Sequence, residues 1–293
     1  MSGPSLDAPG SLEELAALLG TATDSTRVVA GSTDLTLQLP ASRKRPDRLI
    51  DLGRVPELRG ISLSGDRMRI GAMATFAEIA SSACVQQRAS CLATAARRVG
   101  SIQVRGVATL GGNVANAAAC ADGVAPLLVL DADVGVLGAG GGIERRPLAA
   151  LFASHGGSAL RPGEVIVDFS FRALDAQETS GFAKLGVRTS IAVSRLNAAA
   201  VLALSPDGAT CLGARVAYGS LAASARLNTD VAKVLVGRRL DGKALAEFMQ
   251  ASSAYVDQAI PDRPSRAYKR GAIRGVVVDL WSALGLEADA ARR

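Results

Sequence analysis

Two glycine-bearing turns and one carboxylate are the residues of this 293-residue chain best suited to chemistry. Gly31-Ser32-Thr33-Asp34-Leu35 follows the strand-like Arg27-Val28-Val29-Ala30, so its backbone N–H groups and the Ser32 and Thr33 hydroxyls can converge on an anion. An ordinary strand-to-helix turn, with Asp34 near a helix N-terminus, fits the same pentapeptide. Thr109-Leu110-Gly111-Gly112-Asn113 is more specific. Two adjacent glycines allow positive φ and bare amides, and Thr109 and Asn113 add flanking donors, a composition suited to a diphosphate. Asp122 then offers a carboxylate after the small residues Ala117 to Ala121, suited to a ribose hydroxyl or a ring edge. It can also cap a helix running from Val124 to Leu130.

Other candidates carry less. Gly138 to Gly142 lies between the strand-like Asp133 to Leu137 and Ile143, which makes it a hairpin connection rather than a phosphate loop. His155 is the single histidine, without a partner for a metal or a nucleophilic dyad, and reads as a surface residue. Cys84, Cys91, Cys120 and Cys211 form no CxxC pair, which argues against a zinc or iron–sulfur site within the chain and for free thiols. The net charge of +6 is spread along the chain and only 3% of residues are aromatic, a poor composition for binding nucleic acid. The longest apolar runs, Val124 to Leu130 and Ile191 to Leu204, are interrupted by Pro126, Arg195 and Asn197, too soon for a membrane span. Met1 to Ser5 shows no export signal, so a cytoplasmic location is expected.

The elements that must position these turns fall into three lobes. Ser11 to Glu14 has capping-box spacing for a helix through Leu19 that Gly20 can close, and strands at Arg27 to Ala30 and Arg48 to Leu52 complete a small α/β unit. Ile61 to Leu63 and Met68 to Ile70 form a hairpin across Ser64-Gly65-Asp66. Thr75 and Glu78 repeat the capping box, and Cys84 to Val99 has helical periodicity. Alternating positions near Phe182 to Val187 and Arg215 to Tyr218, either side of Ser205 to Gly208, indicate an antiparallel sheet. Helices follow at Asn228 to Val236, Gly242 to Gln258 and Arg266 to Leu284.

Taken in order, these segments resemble the FAD-binding, or medium, subunits of molybdenum hydroxylases of the xanthine and carbon monoxide dehydrogenase type. Val29-Ala30-Gly31-Ser32-Thr33-Asp34-Leu35 resembles the first flavin motif, usually Ala-Gly-Gly-Thr-Asp-Leu, with Ser32 in place of the second glycine. Gln103 to Asn113 resembles the second motif, and Asp122 with Ala125-Pro126-Leu127-Leu128 continues it. Leu160 to Ile166 and Phe182-Ala183-Lys184 with Arg188 match further downstream.

The resemblance implies an α+β fold. A two-lobe α/β module of the FAD-binding type 2 (PCMH-like) kind, residues 1–57 and 58–175, is followed by a C-terminal antiparallel sheet covered by helices, residues 176–293. It further implies that residues 29–35 and 109–113 hold the pyrophosphate of FAD, that Asp122 contacts the cofactor, and that Ile166 and Lys184 line the flavin end. Lys184 beside the ring would stabilise negative charge on reduced flavin; otherwise it is a solvated lysine at a strand end. No side chain is implied as a catalytic acid or base, and no metal is expected in this chain. The molybdenum cofactor and two [2Fe-2S] clusters are implied on a large and a small partner subunit, in a heterotrimer or its dimer. Electrons would pass from the clusters through FAD to a final acceptor. Two other readings are a stand-alone FAD-dependent reductase or oxidase of the same superfamily and a non-enzymatic nucleotide-binding or assembly protein.

Overall fold

A computed structural model describes residues 3–41, 45–152, 160–188 and 192–287. His155 lies outside the described residues. The chain begins with β1 (Ser5–Asp7), α1 (Leu12–Leu19), β2 (Thr26–Val29), α2 (Leu35–Ala41) and β3 (Arg48–Asp51). The three strands form a parallel sheet in the order β1-β3-β2. Ser11 caps α1 by accepting from the Glu14 N–H at 3.2 Å. The return arm of the expected capping box lands one residue early, with the Glu14 carboxylate accepting from the Gly10 N–H at 2.7 Å. Leu15, Leu19, Ile50 and Leu58 are buried under this sheet together with Leu137, Val165 and Val167, so its core continues into the next sheet.

That sheet is antiparallel and built from β4 (Ile61–Ser64), β5 (Arg67–Gly71), β6 (Asp133–Leu137), β7 (Ile143–Pro147) and β8 (Val165–Arg172), in the order β4-β5-β8-β6-β7. Between β5 and β6 run α3 (Phe76–Ser81), α4 (Ala83–Arg88), α5 (Ser90–Arg98), α6 (Ile102–Val107), α7 (Leu110–Asn116) and α8 (Val124–Val129). The β4–β5 hairpin turns on Gly65, which has φ +60°, and residues 138–142 join β6 to β7 as the sequence suggests. The Thr75–Glu78 capping box is complete.

The periodic stretch from Cys84 to Val99 is not one helix. The Arg88 carbonyl accepts from the Leu174 N–H at 2.9 Å instead of continuing the helical ladder, and Ala89 leaves the helical conformation, with φ −156° and ψ 51°, between α4 and α5. A tertiary hydrogen bond thus overrides local periodicity.

The last third holds β9 (Glu178–Gly186), β10 (Ser194–Leu204), β11 (Cys211–Gly219), β12 (Arg226–Leu227), α9 (Thr229–Lys233), α10 (Gly242–Ala259) and α11 (Arg266–Ala283). The sheet is antiparallel in the order β12-β11-β10-β9. Along β10, Leu196, Ala198, Ala200 and Leu202 pack with Phe248, Leu280 and Trp281 of the helices, while Ala199 and Val201 join the core of the central sheet. Burial on both faces explains why β10 is almost uninterruptedly apolar. Among the described residues no helix is long and apolar enough to cross a membrane.

Candidate functional site

A cleft of about 750 Å³ opens where the three sheets come together, a size in the range of about 300–1,000 Å³ typical of ligand pockets. Ala30, Gly31, Ser32, Thr33, Asp34 and Leu35 line one side; Thr109, Gly111, Gly112 and Asn113, together with Asp122, Ile166 and Lys184, line the rest. Val29 and Leu110, the remaining residues of the two motifs, do not line it. Val29 pairs with Asp51 in the N-terminal sheet, and Leu110 is fully buried in the central core.

The first turn owes its shape to a close approach between loops. A Cβ on Gly31 would lie 2.0 Å from the Val107 carbonyl oxygen and 2.9 Å from Ala108 Cα, so only glycine fits there. Ser32, in place of the usual glycine, has a left-handed φ of 56°, at a cost of about 1–2 kcal/mol. Its hydroxyl lies 3.0 Å from that of Thr36. Among the described residues, the N–H groups of Gly31, Ser32, Thr33 and Asp34 donate to no protein acceptor. Successive free amides around a left-handed residue form the concave donor set that suits an anion.

The second turn differs from expectation. Gly111 and Gly112 do not have positive φ but lie in the first turn of α7, and none of the four amides there is bare. The N–H groups of Leu110 and Gly111 donate to the carbonyls of Ala74 (3.0 Å) and Ala72 (2.8 Å), Gly112 donates to Thr109 Oγ1 (3.1 Å) and Asn113 to the Thr109 carbonyl (3.0 Å). Glycine is required for packing: a Cβ on Gly111 would lie 2.7 Å from Ala72 Cβ, and one on Gly112 would lie 2.9 Å from Thr109 Oγ1. The second motif therefore contributes to the cleft lining through close packing against Ala72 and Thr109, not through a second row of free donors. The Asn113 side-chain oxygen is also in use, accepting from the Gly123 N–H at 3.1 Å.

Asp122 is not a helix cap. Gly123 occupies the cap position of α8 without a side-chain bond, and the Asp122 carboxylate turns toward the C-terminal sheet. There it accepts from Lys184 Nζ (2.5 Å), Ser194 Oγ (2.5 Å) and Asn197 Nδ2 (3.0 Å), so both its oxygens are engaged. Lys184 is correspondingly no solvated strand-end lysine. Its side chain is 8% exposed and donates also to the Arg98 carbonyl at 3.1 Å. Asn197 is fully buried with its side-chain oxygen unpartnered, and a Cβ on its strand neighbour Gly219 would lie 2.2 Å from that oxygen. Cys120 also lines the cleft, where desolvation, followed by the charge of Asp122, pushes its thiol pKa up. Ser194 and Asn197 appear in the sequence only as polar residues at the start of an apolar run. A buried amide in such a run is the one local sign that something polar must face it.

Residues 5–171 match the family described as the FAD binding domain in molybdopterin dehydrogenase, and residues 182–284 match the CO dehydrogenase flavoprotein C-terminal domain. The nicotinate dehydrogenase FAD-subunit of Eubacterium barkeri is 30% identical over 282 residues, covering 94% of this chain and 93% of that protein. The carbon monoxide dehydrogenase medium chain of Hydrogenophaga pseudoflava is 29% identical over 262 residues, 89% of this chain and 90% of the relative. A solved structure of carbon monoxide dehydrogenase from Hydrogenophaga pseudoflava, lacking the Mo-pyranopterin moiety of its cofactor, matches with a TM-score of 0.87 at 27% identity, covering 97% of this chain and 98% of that one. The two matched segments meet between β8 and β9, where the central sheet gives way to the C-terminal one. With both family segments present in order on one continuous fold, the chain belongs to the FAD-binding medium subunits of the molybdenum hydroxylase family and is an oxidoreductase subunit.

Proposed function

We propose that this chain holds FAD in the cleft lined by residues 30–35, 109, 111–113, Asp122, Ile166 and Lys184, and passes electrons from iron–sulfur clusters on a small partner subunit to a final acceptor. The reading includes a large subunit that carries the molybdenum cofactor, assembly as a heterotrimer or its dimer, and a cytoplasmic location. It also divides the chain at residues 1–57, 58–175 and 176–293, which is supported by one sheet falling in each range. The names of the relatives, FAD-subunit and medium chain, support an assembly of several chains.

The observation that carries the reading is the row of four N–H groups from Gly31 to Asp34, without a protein acceptor among the described residues, in the same cleft as Thr109, Gly111, Gly112 and Asn113. A diphosphate fits such a donor set, since its oxygens can accept from several converging N–H groups at once. Bound FAD supplies the redox chemistry. The protein's part is to bind and orient. The amides of residues 31–34 neutralise the diphosphate, Ile166 and Val165 give an apolar wall, and the Asp122–Lys184 pair fixes the charge at the far end. None of these groups needs to gain or lose a proton.

The test is isolation from the native source with measurement of flavin absorbance, flavin stoichiometry and the iron and molybdenum content of copurifying chains. Stoichiometric flavin with iron- and molybdenum-bearing partners is expected. A lone, active, NADPH-oxidising chain would overturn the subunit role, and the lack of a flavin band after added FAD would overturn cofactor binding.

A further inference from the structure

The loop from Ala117 to Asp122 forms the cleft wall at its Lys184 end, and the C-terminal residues hold it at more than one point. Ala117 starts the loop in a left-handed conformation with φ 49°. At its end, Asp122 takes its three side-chain bonds from β9 and β10. Between them the Ala119 carbonyl accepts from the Ser220 N–H at 2.8 Å. Ser220 follows β11 and is itself left-handed, with φ 64°, and 7% exposed. Its hydroxyl donates to the Ser194 carbonyl at 3.0 Å, and the Ser194 hydroxyl donates in turn to Asp122. The Ser220 carbonyl accepts from Lys269 Nζ at 2.5 Å, from the first turn of α11.

We propose that Ser220 and Lys269 are positioning residues that set the Ala117–Asp122 loop against the flavin, coupling helix α11 to the cofactor cleft. The inference rests on the FAD reading of that cleft. Three observations carry it. Among the described residues only four non-glycine residues have positive φ, and Ser32, Ala117 and Ser220 are three of them, all lining or backing this one cleft. Backbone strain of this kind persists only where surrounding structure imposes it. Lys269 pairs with no carboxylate among the described residues, and its hydrogen bond goes to a backbone carbonyl. Burial lowers its pKa, and the nearby Arg263 and Arg195 lower it further. An ammonium in that setting is held for the carbonyl it orients. Ala118, Cys120 and Ala121 line the cleft on either side of Ala119, so a shift of the Ala119 carbonyl moves the lining itself.

The test compares the full-length wild-type chain with Lys269→Met, Lys269→Arg and Ser220→Gly. The readouts are FAD dissociation constant, the visible spectrum of bound flavin, its midpoint potential, and thermal unfolding without FAD. Lys269→Met and Ser220→Gly are each expected to weaken FAD binding about tenfold and to shift the spectrum and potential, as loss of a bond to an oriented group does. Lys269→Arg should retain wild-type values. Ser220→Gly keeps the backbone bonds to Ala119 and Lys269 and removes the hydroxyl's bond to the Ser194 carbonyl, so it isolates the branch that reaches Asp122 through Ser194, in a residue type that accepts φ 64° without strain. Wild-type affinity, spectrum and potential in both Lys269→Met and Ser220→Gly would overturn the inference. A wild-type chain that takes up no flavin would overturn the cleft assignment instead, and this inference with it.

Discussion

The Asp122 carboxylate and the Lys184 ammonium meet at 2.5 Å between the central and C-terminal sheets, each side chain with less than a tenth of its surface in solvent. Desolvating such a pair costs several kcal/mol per ion, and attraction offsets this only when the remaining hydrogen-bonding capacity is filled. Ser194 and Asn197 fill it for Asp122, and the Arg98 carbonyl does so for Lys184. The pair therefore ties the Ala117–Asp122 loop to the C-terminal sheet.

Asp122→Ala should lower both FAD affinity and the stability of the apo chain, the latter by about 3–5 kcal/mol, because Lys184 is left buried without its counter-ion. Urea unfolding of the apo chain measures this. The double variant Asp122→Ala/Lys184→Met should recover most of the loss, and an equal loss in both variants would refute the pair as its source.

Gly111→Ala and Gly112→Ala should separate packing from capping. The first pushes a methyl group into Ala72 and should cost about 1–3 kcal/mol. The second displaces the Thr109 hydroxyl from the start of α7 and should cost about 1 kcal/mol. Both losses should appear without FAD. Thermal unfolding of the two apo variants decides it, and apo proteins as stable as wild type would contradict the packing account.

Ser32→Gly should stabilise the apo chain by about 0.5–1 kcal/mol, since relief of the left-handed serine exceeds the added freedom of the unfolded chain. Ser32→Ala keeps the strain and loses the contact with Thr36, so it should not stabilise. The two melting temperatures, measured side by side, test the sign.

Stability should fall at alkaline pH. The Cys91 thiol, wholly buried, is pushed up to about 12 by desolvation, and burial raises Cys120 and Cys211 as well. An unfolded thiol titrates near about 8.5, so the stability held by these protonated thiols is complete below that pH. It is lost as the pH climbs through the folded values, at up to about 1.4 kcal/mol per pH unit for each thiol. Urea midpoints measured upward from about pH 8 should therefore decline, and iodoacetamide should leave Cys91 unlabelled in the native protein. A flat profile would contradict these burial shifts.

Features governed by neighbouring residues are legible in the sequence. The Thr75–Glu78 capping box, the hairpin at Gly65 and the connection at residues 138–142 all stand where their local signals put them. Distance in sequence hides the rest. The break at Ala89 depends on Leu174, the glycine at 111 is demanded by Ala72, and no local signal ties Lys184, Ser194 or Asn197 to Asp122. Adjacent glycines look alike whether they expose amides or make room for a neighbour, and only the packing tells these apart.

Asp122 precedes its three donors by 62, 72 and 75 residues. During synthesis the carboxylate thus leaves the ribosome well before the strands that neutralise it. The lining at this end of the cleft is therefore finished only by strands from the last third of the polypeptide, and a chain truncated before β9 should leave Asp122 with none of its three donors.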